Sequence, residues 1–359
     1  MSKVAVLKTK PETILEDYKR LMKLAEYESF LPRDKVVLLK INISWHHWYP
    51  ACSTTPWQLE GVIKTLLDDG YPPQNIIGAH NRTVVVNDRI GEVNNKHKLV
   101  IDKYGLSTVY LNEKPIEWVR YEPKGKMLVL DKVYPEGILI PKMFQGKSII
   151  HLPTVKTHVF TTITGAMKNA FGGLLSQKRH WTHSVIHETL VDLLTIQKEI
   201  HSGIFAVMDG TIAGSGPGPR CMEPHVIDYI LASSDQVAID AISAKIQGFD
   251  PLSLGFIRLA HEMGLGCGNP NEIEIVGEDI SGVNFGFKCG DTFASKGQKA
   301  IYHGFLKPFE HILLRTPIVP WSYAASRLYH DLYWYPAVGK KRVNEMLKTD
   351  WGQLFLNYK

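Results

Sequence analysis

The stretch from His151 to His183 reads HLPTVKTHVFTTITGAMKNAFGGLLSQKRHWTH and combines three lysines, one arginine and four histidines with glycine and threonine. The residues just before and at its start, 148–153 (SIIHLP), indicate a buried strand that ends at a proline. Lys156, Thr157 and His158 therefore follow the carboxyl end of a strand, which is where open α/β sheets bind ligands. The stretch favours an active site for an anionic group, and a plain surface loop rich in Gly, Thr and Lys is the alternative.

The chain has 359 residues, enough to bury a large core as one α/β domain with additions or as two lobes. Its formal net charge is +5, and no long Lys/Arg run concentrates that charge. The composition therefore gives no sign of a nucleic-acid partner. Basic residues gather locally between residues 156 and 179, so we expect a small anionic molecule as the partner.

The cysteines lie too far apart for a C-x-x-C metal or cluster motif; they are Cys52, Cys221, Cys267 and Cys289. We therefore expect reduced thiols of an intracellular protein and no iron–sulfur cluster. The N-terminus has no apolar signal-peptide core, and no stretch approaches the length of a membrane span. The sequence predicts a cytoplasmic protein without a transmembrane segment.

Apolar periodicity alternates between helix and strand along the first part of the chain. Helical patterns at 11–31, 57–69 and 96–104 alternate with apolar runs of strand length at 36–43, 75–79 and 108–111. Residues 113–147 are less regular. This alternation predicts an α/β protein with a mainly parallel sheet and helices on both faces.

The second part of the chain continues the α/β pattern. A helix at 185–200 and a strand at 203–208 lead into a rigid Gly/Pro-rich loop at 209–219. A later helix spans 235–247, with Asp235 as its candidate N-cap. We predict an α/β domain over residues 1–304, with lobes at about 1–200 and 201–304 on either side of a cleft.

Residues 305–359 form a segment in which aromatic side chains such as Tyr329, Trp334 and Trp351 alternate with Arg and Lys. We predict an aromatic-rich helical C-terminal extension. Its apolar area requires cover, and packing on the α/β body is the simplest cover. A homodimer contact and a peripheral contact with a membrane surface are the alternatives.

Several motifs, and their order along the chain, resemble those of the family called domain of unknown function 362. The motifs are Lys40-Ile-Asn42, Thr54-Thr55-Pro56, Lys156-Thr157-His158, Thr164-Gly165-Ala166-Met167-Lys168-Asn169 and Gly172, and later Asp209-Gly210 and Asp235 to Asp240. The match runs from about residue 35 to 280. Many members of that family carry a ferredoxin-like cluster insert, and the scattered cysteines of this chain depart from that pattern.

A more distant similarity is to the lactate racemase family, whose nickel-pincer nucleotide is tethered through a lysine. By that resemblance His80 and Arg82 correspond to a Gly-Thr-His-Arg turn and His158 to the histidine before a glycine loop. Lys168 corresponds to the tethering lysine and His183 to a histidine beside the metal. The resemblance implies proton or hydride relay by the histidines and a lysine-linked cofactor.

Residue chemistry suggests roles for the same region. Lysine is a flexible point charge suited to phosphate or carboxylate, while threonine and asparagine can donate to an oxyanion. The predicted anion-binding residues are Lys40, Asn42, Thr54, Thr55, Arg82, Lys156, Thr164, Gly165, Asn169, Lys178 and Arg179. The predicted catalytic residues are His80, His158, His183 and Lys168.

A divalent metal is the other cofactor that the residues suggest. We predict His158, His183 and Asp209 as its ligands, because Asp209 follows a predicted strand and can either bind a metal or orient a histidine. His46 and His47, beside two tryptophans, are further candidates for binding a metal or stacking on a ligand, and aromatic residues of a lid are the alternative.

Together these features predict an enzyme that acts on a small anionic or carboxylate-bearing substrate. The chemistry would be acid–base or metal-assisted, of isomerase, racemase or redox type. The alternative is a non-catalytic protein that holds a phosphate-bearing ligand or cofactor in the lysine-glycine loop.

Overall fold

The computed structural model describes residues 1–83, 85–315 and 320–359. Its strands are β1 (Ser2–Lys8), β2 (Val37–Ile41), β3 (Ile76–His80), β4 (Ser107–Tyr110), β5 (Trp118–Tyr121), β6 (Ile138–Pro141), β7 (Ser148–Leu152), β8 (Thr154–His158), β9 (Thr162–Ile163), β10 (Gly203–Ser215), β11 (Glu223–Ser233) and β12 (Ile273–Gly277).

The α-helices alternate with these strands in the body and then dominate the C-terminal part of the chain. They are α1 (Ile14–Leu24), α2 (Pro56–Asp68), α3 (Asp88–Asn94), α4 (His97–Lys103), α5 (Leu130–Val133), α6 (Ala166–Leu174), α7 (Ile186–Ile200), α8 (Gln236–Gln247), α9 (Gly255–Glu262), α10 (Phe293–Tyr302), α11 (Glu310–Arg315), α12 (Pro320–Arg327), α13 (Lys340–Met346) and α14 (Asp350–Asn357). A π-helix, Leu328–Gly339, connects α12 to α13.

The main sheet has the strand order β12-β1-β11-β10-β7-β2-β3-β4. Strand β11 runs antiparallel to both of its neighbours, and the other adjacent pairs along this order are parallel. Strand β8 adds to β10 in parallel, and β9 pairs with β8. The predicted α/β fold with a mainly parallel sheet is therefore confirmed.

Alternate residues of the central strands point to opposite faces, and each face has its own core. Leu38 of β2 packs into the core that contains α6, α7, α8 and α9. Its neighbour Leu39 packs into the other core, with α1, α2 and α4. Helices thus cover both faces, as predicted from the sequence.

Helix starts follow the sequence signals closely. Thr55 caps α2 in a capping box with Gln58, and Pro56 occupies the first turn. The Asp235 carboxylate accepts hydrogen bonds from the Val237 and Ala238 backbone N–H groups, so the predicted cap of α8 is present.

Several parts of the sheet differ from the sequence prediction. Residues 156–158 were predicted to follow a strand that ends at Pro153, but they lie within the further strand β8, which pairs with β10. Strand β1 was not predicted, although its apolar run from Val4 to Leu7 is fully buried between β11 and β12. Strand β10 continues to Ser215, where a loop was predicted from residue 209, because β11 pairs with it as far as Glu223. Pairing with a neighbouring strand thus overrides the local Gly-rich composition.

The described part of the C-terminal extension is helical and contacts the body. The Trp351 ring centroid lies 5.3 Å from that of Trp57, and Trp351 Nε1 donates to Asp228 Oδ1 at 2.7 Å. Trp334 and Phe355 are also buried in the core on this face. Residues 316–319 lie outside the described residues.

Strands from both sides of residue 200 share the main sheet, and the predicted lobes and the boundary at 304 stay predictions. Among the described residues, no helix combines the length and apolar character needed to cross a membrane.

Candidate functional site

A cavity of about 980 Å³ lies at the carboxyl ends of the parallel strands. Lys40 and Asn42 enter it from the end of β2, Asn81 and Arg82 from the turn after β3, and Lys156 from β8. Helix α6, the loop after β10, α10 and the π-helix complete its walls. This is the sheet edge at which the sequence predicted a ligand site.

The charge of the lining is strongly one-sided. Six cationic side chains and four histidines line the cavity: Lys40, Arg82, Lys156, Lys168, Arg179, Arg220, His158, His180, His183 and His330. The described lining residues include no aspartate or glutamate. Asp88 Oδ1 lies 3.7 Å from Arg82 Nε but does not line the cavity, so the cations that face the cavity outnumber nearby carboxylates and favour an anionic ligand.

Lys40 explains the glycine at position 173 of α6. Its side chain is buried, and Lys40 Nζ donates to the Ile41 carbonyl at 2.8 Å. A Cβ at Gly173 would lie 2.6 Å from Lys40 Cε, so a larger residue there would displace the lysine. Asn169 Nδ2 donates to the Lys40 carbonyl at 2.8 Å and thereby joins α6 to β2.

Lys156 and Lys168 differ in their partners. Lys156 Nζ donates to the Cys52 carbonyl at 3.0 Å and to Thr154 Oγ1. The described residues offer Lys168 Nζ no hydrogen bond; it lies 5.3 Å from the Phe171 ring centroid. Of these two lysines, Lys168 is therefore the one that is ready to bind a ligand.

Burial in a cationic environment depresses the pKa values of the cavity lysines. Burial, with a contribution from Arg179, lowers the pKa of Lys40 to about 7. Burial lowers that of Lys156 to about 8. Burial together with Lys156 and Arg179 lowers that of Lys168 to about 7. These amines are partly neutral near pH 7, and a bound anion would raise their pKa values again.

Arg179 is oriented by the turn after β3. Its Nη2 donates to the Arg82 carbonyl at 2.6 Å. Its Nη1 is buried without a hydrogen-bond partner. Such an unpaired donor is costly unless a ligand satisfies it, which again favours an anion in the cavity.

His158 and His183 are neutral near pH 7. Burial, followed by the charge of Lys168, lowers the pKa of His158 well below its usual range and that of His183 to about 3. His158 Nδ1 accepts from the Phe160 backbone N–H at 3.1 Å, which puts the ring proton on Nε2. His183 Nδ1 lies 3.1 Å from the His180 carbonyl, which puts its proton on Nδ1.

Two backbone N–H groups at the start of α6, those of Ala166 and Met167, are not available to an anion, whereas the predicted residue Gly165 lines the cavity. The Asp240 carboxylate accepts from the Ala166 and Met167 N–H groups at 2.6 and 3.1 Å. A Cβ at Gly165 would lie 2.1 Å from Asp240 Oδ1, so glycine is required for this contact. Burial raises the pKa of Asp240 to about 8, although the two N–H groups oppose that rise. The lysine and arginine side chains remain as anion ligands.

His80 lies outside the cavity, contrary to its predicted catalytic position. It is buried, with Nδ1 3.5 Å from Asp88 Oδ2 and Nε2 3.6 Å from Glu92 Oε1. Burial disfavours its charged form, but the nearby carboxylates of Asp88 and Glu92 outweigh burial and raise the pKa of His80. The arrangement is a buried ion cluster that supports the turn carrying Arg82.

Asp209 and the two predicted threonines are also structural. Asp209 is fully buried and accepts from Tyr18 Oη at 2.6 Å, Thr55 Oγ1 at 2.8 Å and Trp57 Nε1 at 2.9 Å. Thr54 Oγ1 donates to the Leu152 carbonyl at 2.7 Å. None of Thr54, Thr55 and Asp209 lines the cavity.

The predicted metal ligands His158, His183 and Asp209 do not lie close enough together to share a metal ion. In the part of the chain that the structure describes, the residues close enough to do so are His46, His47 and Asp331. His46 Nε2 lies 3.6 Å from Asp331 Oδ2, and Trp45 Nε1 donates to Asp331 Oδ1 at 2.7 Å. This group joins the loop after β2 to the π-helix.

Lys178 is the remaining predicted residue outside the cavity. It is exposed, and its Nζ lies 5.0 Å from the Trp181 ring centroid. The structure brings together the other predicted residues as cavity lining: Lys40, Asn42, Arg82, Lys156, His158, Thr164, Gly165, Lys168, Asn169, Arg179 and His183.

Sequence reasoning missed the residues that close the cavity. Arg220 directly follows the Gly/Pro-rich loop, and its position after that loop was a usable signal. Phe293, Tyr329 and His330 come from α10 and the π-helix, and no motif marked them as part of a site. Tyr329 and His330 reach the cavity only because the extension folds back over the body.

Fold and cavity define an α/β protein with a cationic ligand site at the carboxyl edge of its sheet. The chain belongs to the family described as domain of unknown function (DUF362), whose sequence profile matches residues 37–245. This span includes Lys40, Lys156, Lys168 and Asp240 but ends before α10 and the extension. The family resemblance found in the sequence is confirmed.

One curated relative is the thylakoid-associated protein sll1697 of Synechocystis sp. (strain ATCC 27184 / PCC 6803 / Kazusa), which is 26% identical over 130 residues. The match covers 35% of this chain and 40% of that protein. No solved structure matches the chain. The similarity to lactate racemase stays a prediction.

Proposed function

We propose that the protein is an enzyme that binds an anionic substrate in the cationic cavity and moves a proton with His158. The observation that carries this proposal is the lining itself: six cationic side chains face one cavity, without a described carboxylate among them. A phosphate or carboxylate group would pair with Lys168, which the described residues offer no hydrogen bond, and with Arg179, whose Nη1 is buried without a partner.

Substrate charge would also activate the base. Without a bound anion, burial and the charge of Lys168 hold the pKa of His183 at about 3, which makes its unprotonated Nε2 a weak base. An anion beside Lys168 would offset that charge and raise the pKa of His183 toward the working pH, where a general base is most effective. His158, whose proton is on Nε2 because Nδ1 accepts from the Phe160 N–H, would donate a proton as the second acid–base group, as an isomerase or racemase requires.

A non-catalytic protein that holds a phosphate-bearing ligand remains the alternative, because it would use the same cations. A metal-assisted or redox reaction and a cofactor linked to Lys168 are finer proposals that depend on the chemistry of the ligand. The enzyme and the binding protein both require that anions bind in this cavity.

We expect that Lys168→Met weakens the binding of inorganic phosphate about 10- to 100-fold, since a hydrogen bond to a charged group contributes roughly 1.5–3 kcal/mol. Isothermal titration calorimetry measures the affinity, and thermal shift checks that the variant is folded. Lys178→Met is the matched control, because Lys178 is exposed and outside the cavity; it should change affinity less than about twofold. Equal losses in both variants, or no anion binding by the parent protein, would contradict the proposal.

Anion binding should take up protons at pH 8. The pKa values of Lys40 and Lys168 are about 7 before binding, so both amines are mainly neutral at pH 8 and become charged beside an anion. We expect uptake of up to about two protons at pH 8 and almost none at pH 6, where both are already charged. Phosphate affinity should therefore fall as pH rises from 6 to 9.

Calorimetry in two buffers with different ionisation enthalpies measures this uptake. Lys40→Met and Lys168→Met should each remove about one proton of uptake at pH 8. If phosphate binds at pH 8 without proton uptake, the cavity lysines are charged before binding and the argument from their pKa values is wrong.

A further inference from the structure

The cavity has walls of two different chemistries. Lys40, Lys156, Lys168 and Arg179 form its cationic part. The wall contributed by α10, the turn after it and the π-helix is mainly apolar and aromatic; it includes Phe293, Ile301, Leu306, Leu328, Tyr329 and Tyr333. A ligand that fills the whole cavity must therefore have a charged part and an apolar part.

The size of the cavity supports a ligand larger than a simple anion. Its volume of about 980 Å³ is near the upper end of the roughly 300–1,000 Å³ typical of sites for drug-sized molecules. A phosphate ion or a three-carbon acid would occupy only the cationic part. The apolar wall would then face water, which is unfavourable for a surface of this composition.

The apolar wall continues onto the surface. Phe293, Leu328 and Tyr333 line the cavity, yet they are 84%, 57% and 64% exposed. Phe305 and Leu332, on the same part of the chain, are 81% and 71% exposed. Large apolar side chains that are exposed together usually mark a binding site.

We propose that the ligand is an anionic amphiphile, with a phosphate or carboxylate head on the cavity cations and an apolar chain along the wall formed by α10 and the π-helix. This inference rests on the proposed anion site and adds the substrate class. The ligand must reach Phe293 and Leu328 from inside the cavity. An alkyl chain attached to the bound head group would do so. The cationic residues lie within the family match at 37–245, whereas this wall lies outside it, so the wall would select the ligand for this chain.

Alkyl phosphates of increasing chain length test the inference. Calorimetry with inorganic phosphate, butyl phosphate and octyl phosphate below its micellar concentration should show affinity rising with chain length. A fully buried methylene contributes roughly a factor of four, so octyl phosphate should bind at least about 100-fold more tightly than butyl phosphate. Octyl glucoside, which has the same chain and no charge, should bind far more weakly.

Two variants distinguish the contribution of the ligand's head group to the affinity from that of its alkyl chain. Leu328→Ser should reduce the ratio of octyl to butyl phosphate affinity about tenfold, whereas Lys168→Met should weaken both ligands similarly. Leu356→Ser is the matched control, since Leu356 is an exposed leucine of α14 outside the cavity. It should leave the ratio unchanged.

The outcomes distinguish this inference from the function on which it rests. Equal affinities for phosphate, butyl phosphate and octyl phosphate would contradict the proposal that the ligand is an amphiphile, but they would still support the proposed anion site. Absence of binding by all three would overturn the anion site itself. Equally tight binding of octyl glucoside would show that apolar contact alone accounts for the affinity and would also overturn the inference.

A vesicle experiment identifies the source of the amphiphile. If the protein sediments with phosphatidic acid vesicles but not with phosphatidylcholine vesicles, and octyl phosphate releases it, the ligand is taken from a bilayer. If octyl phosphate binds in the cavity but vesicles do not, the ligand is a free amphiphile. Both results support the inference, and binding to both vesicles without competition by octyl phosphate would overturn it.

Discussion

Replacement of His158 by glutamine should slow proton transfer to a bound substrate about 100- to 10,000-fold, which is the usual contribution of a general acid–base group. Glutamine is similar in size and keeps an acceptor for the Phe160 N–H, but it cannot carry a proton between atoms. The fold and phosphate affinity should change little. The cavity would then hold its ligand without performing the reaction.

Deuterium incorporation measures this step across many candidate substrates at once. The parent protein and His158→Gln are incubated in D₂O with a defined mixture of hydroxycarboxylates and sugar phosphates, and mass spectrometry detects exchange at carbon. His303→Gln is the control, because His303 is exposed and does not line the cavity. If the parent protein binds phosphate but exchanges nothing in this mixture, or if His158→Gln exchanges equally well, the non-catalytic binding protein replaces the enzyme.

Replacement of Asp209 by alanine should lower the free energy of unfolding by about 4 kcal/mol or more. The Asp209 carboxylate accepts hydrogen bonds from Tyr18, Thr55, Trp57 and the backbone and side chain of Thr211. Without it, several of these buried donors lose their partner, and each unsatisfied group costs roughly 1–3 kcal/mol. Such a loss is a large fraction of a typical stability of about 5–15 kcal/mol.

Urea unfolding followed by circular dichroism measures the change. Asp34→Ala is the control, since the Asp34 side chain is 73% exposed, and it should change stability by less than about 0.5 kcal/mol. The sequence suggested Asp209 as a metal ligand, and that role predicts the opposite pattern. If Asp209→Ala keeps its stability and loses a bound metal instead, the structural role is wrong.

Local features of the sequence predicted most of the sheet and helices. Apolar runs indicated β2, β3 and β7, and the Thr55-Pro56 and Asp235 signals marked the starts of α2 and α8. These features depend on neighbouring residues, because strand alternation and helix capping act over a few positions. The rule that ligands bind at the carboxyl edge of a parallel sheet then placed Lys156 and Lys168 near one another.

Local patterns misassigned polar residues whose partners are distant in sequence. His80 and Asp209 follow predicted strands, as active-site residues do, but the structure surrounds each with buried partners. The hydroxyl of Tyr18, 191 positions from Asp209, satisfies that carboxylate. Burial and hydrogen-bond satisfaction are properties of the assembled fold, and no short window of sequence contains them.

The sequence by itself determined much of the order of strands and helices and the concentration of cations between residues 156 and 179, because apolar periodicity and charge are properties of neighbouring residues. Only the tertiary structure decided that Asp240 occupies the start of α6, which leaves the anion to side chains. It also decided that α10 and the π-helix close the cavity with an apolar wall. Both outcomes depend on contacts between segments far apart in the chain, whose geometry is set by packing on the shared sheet.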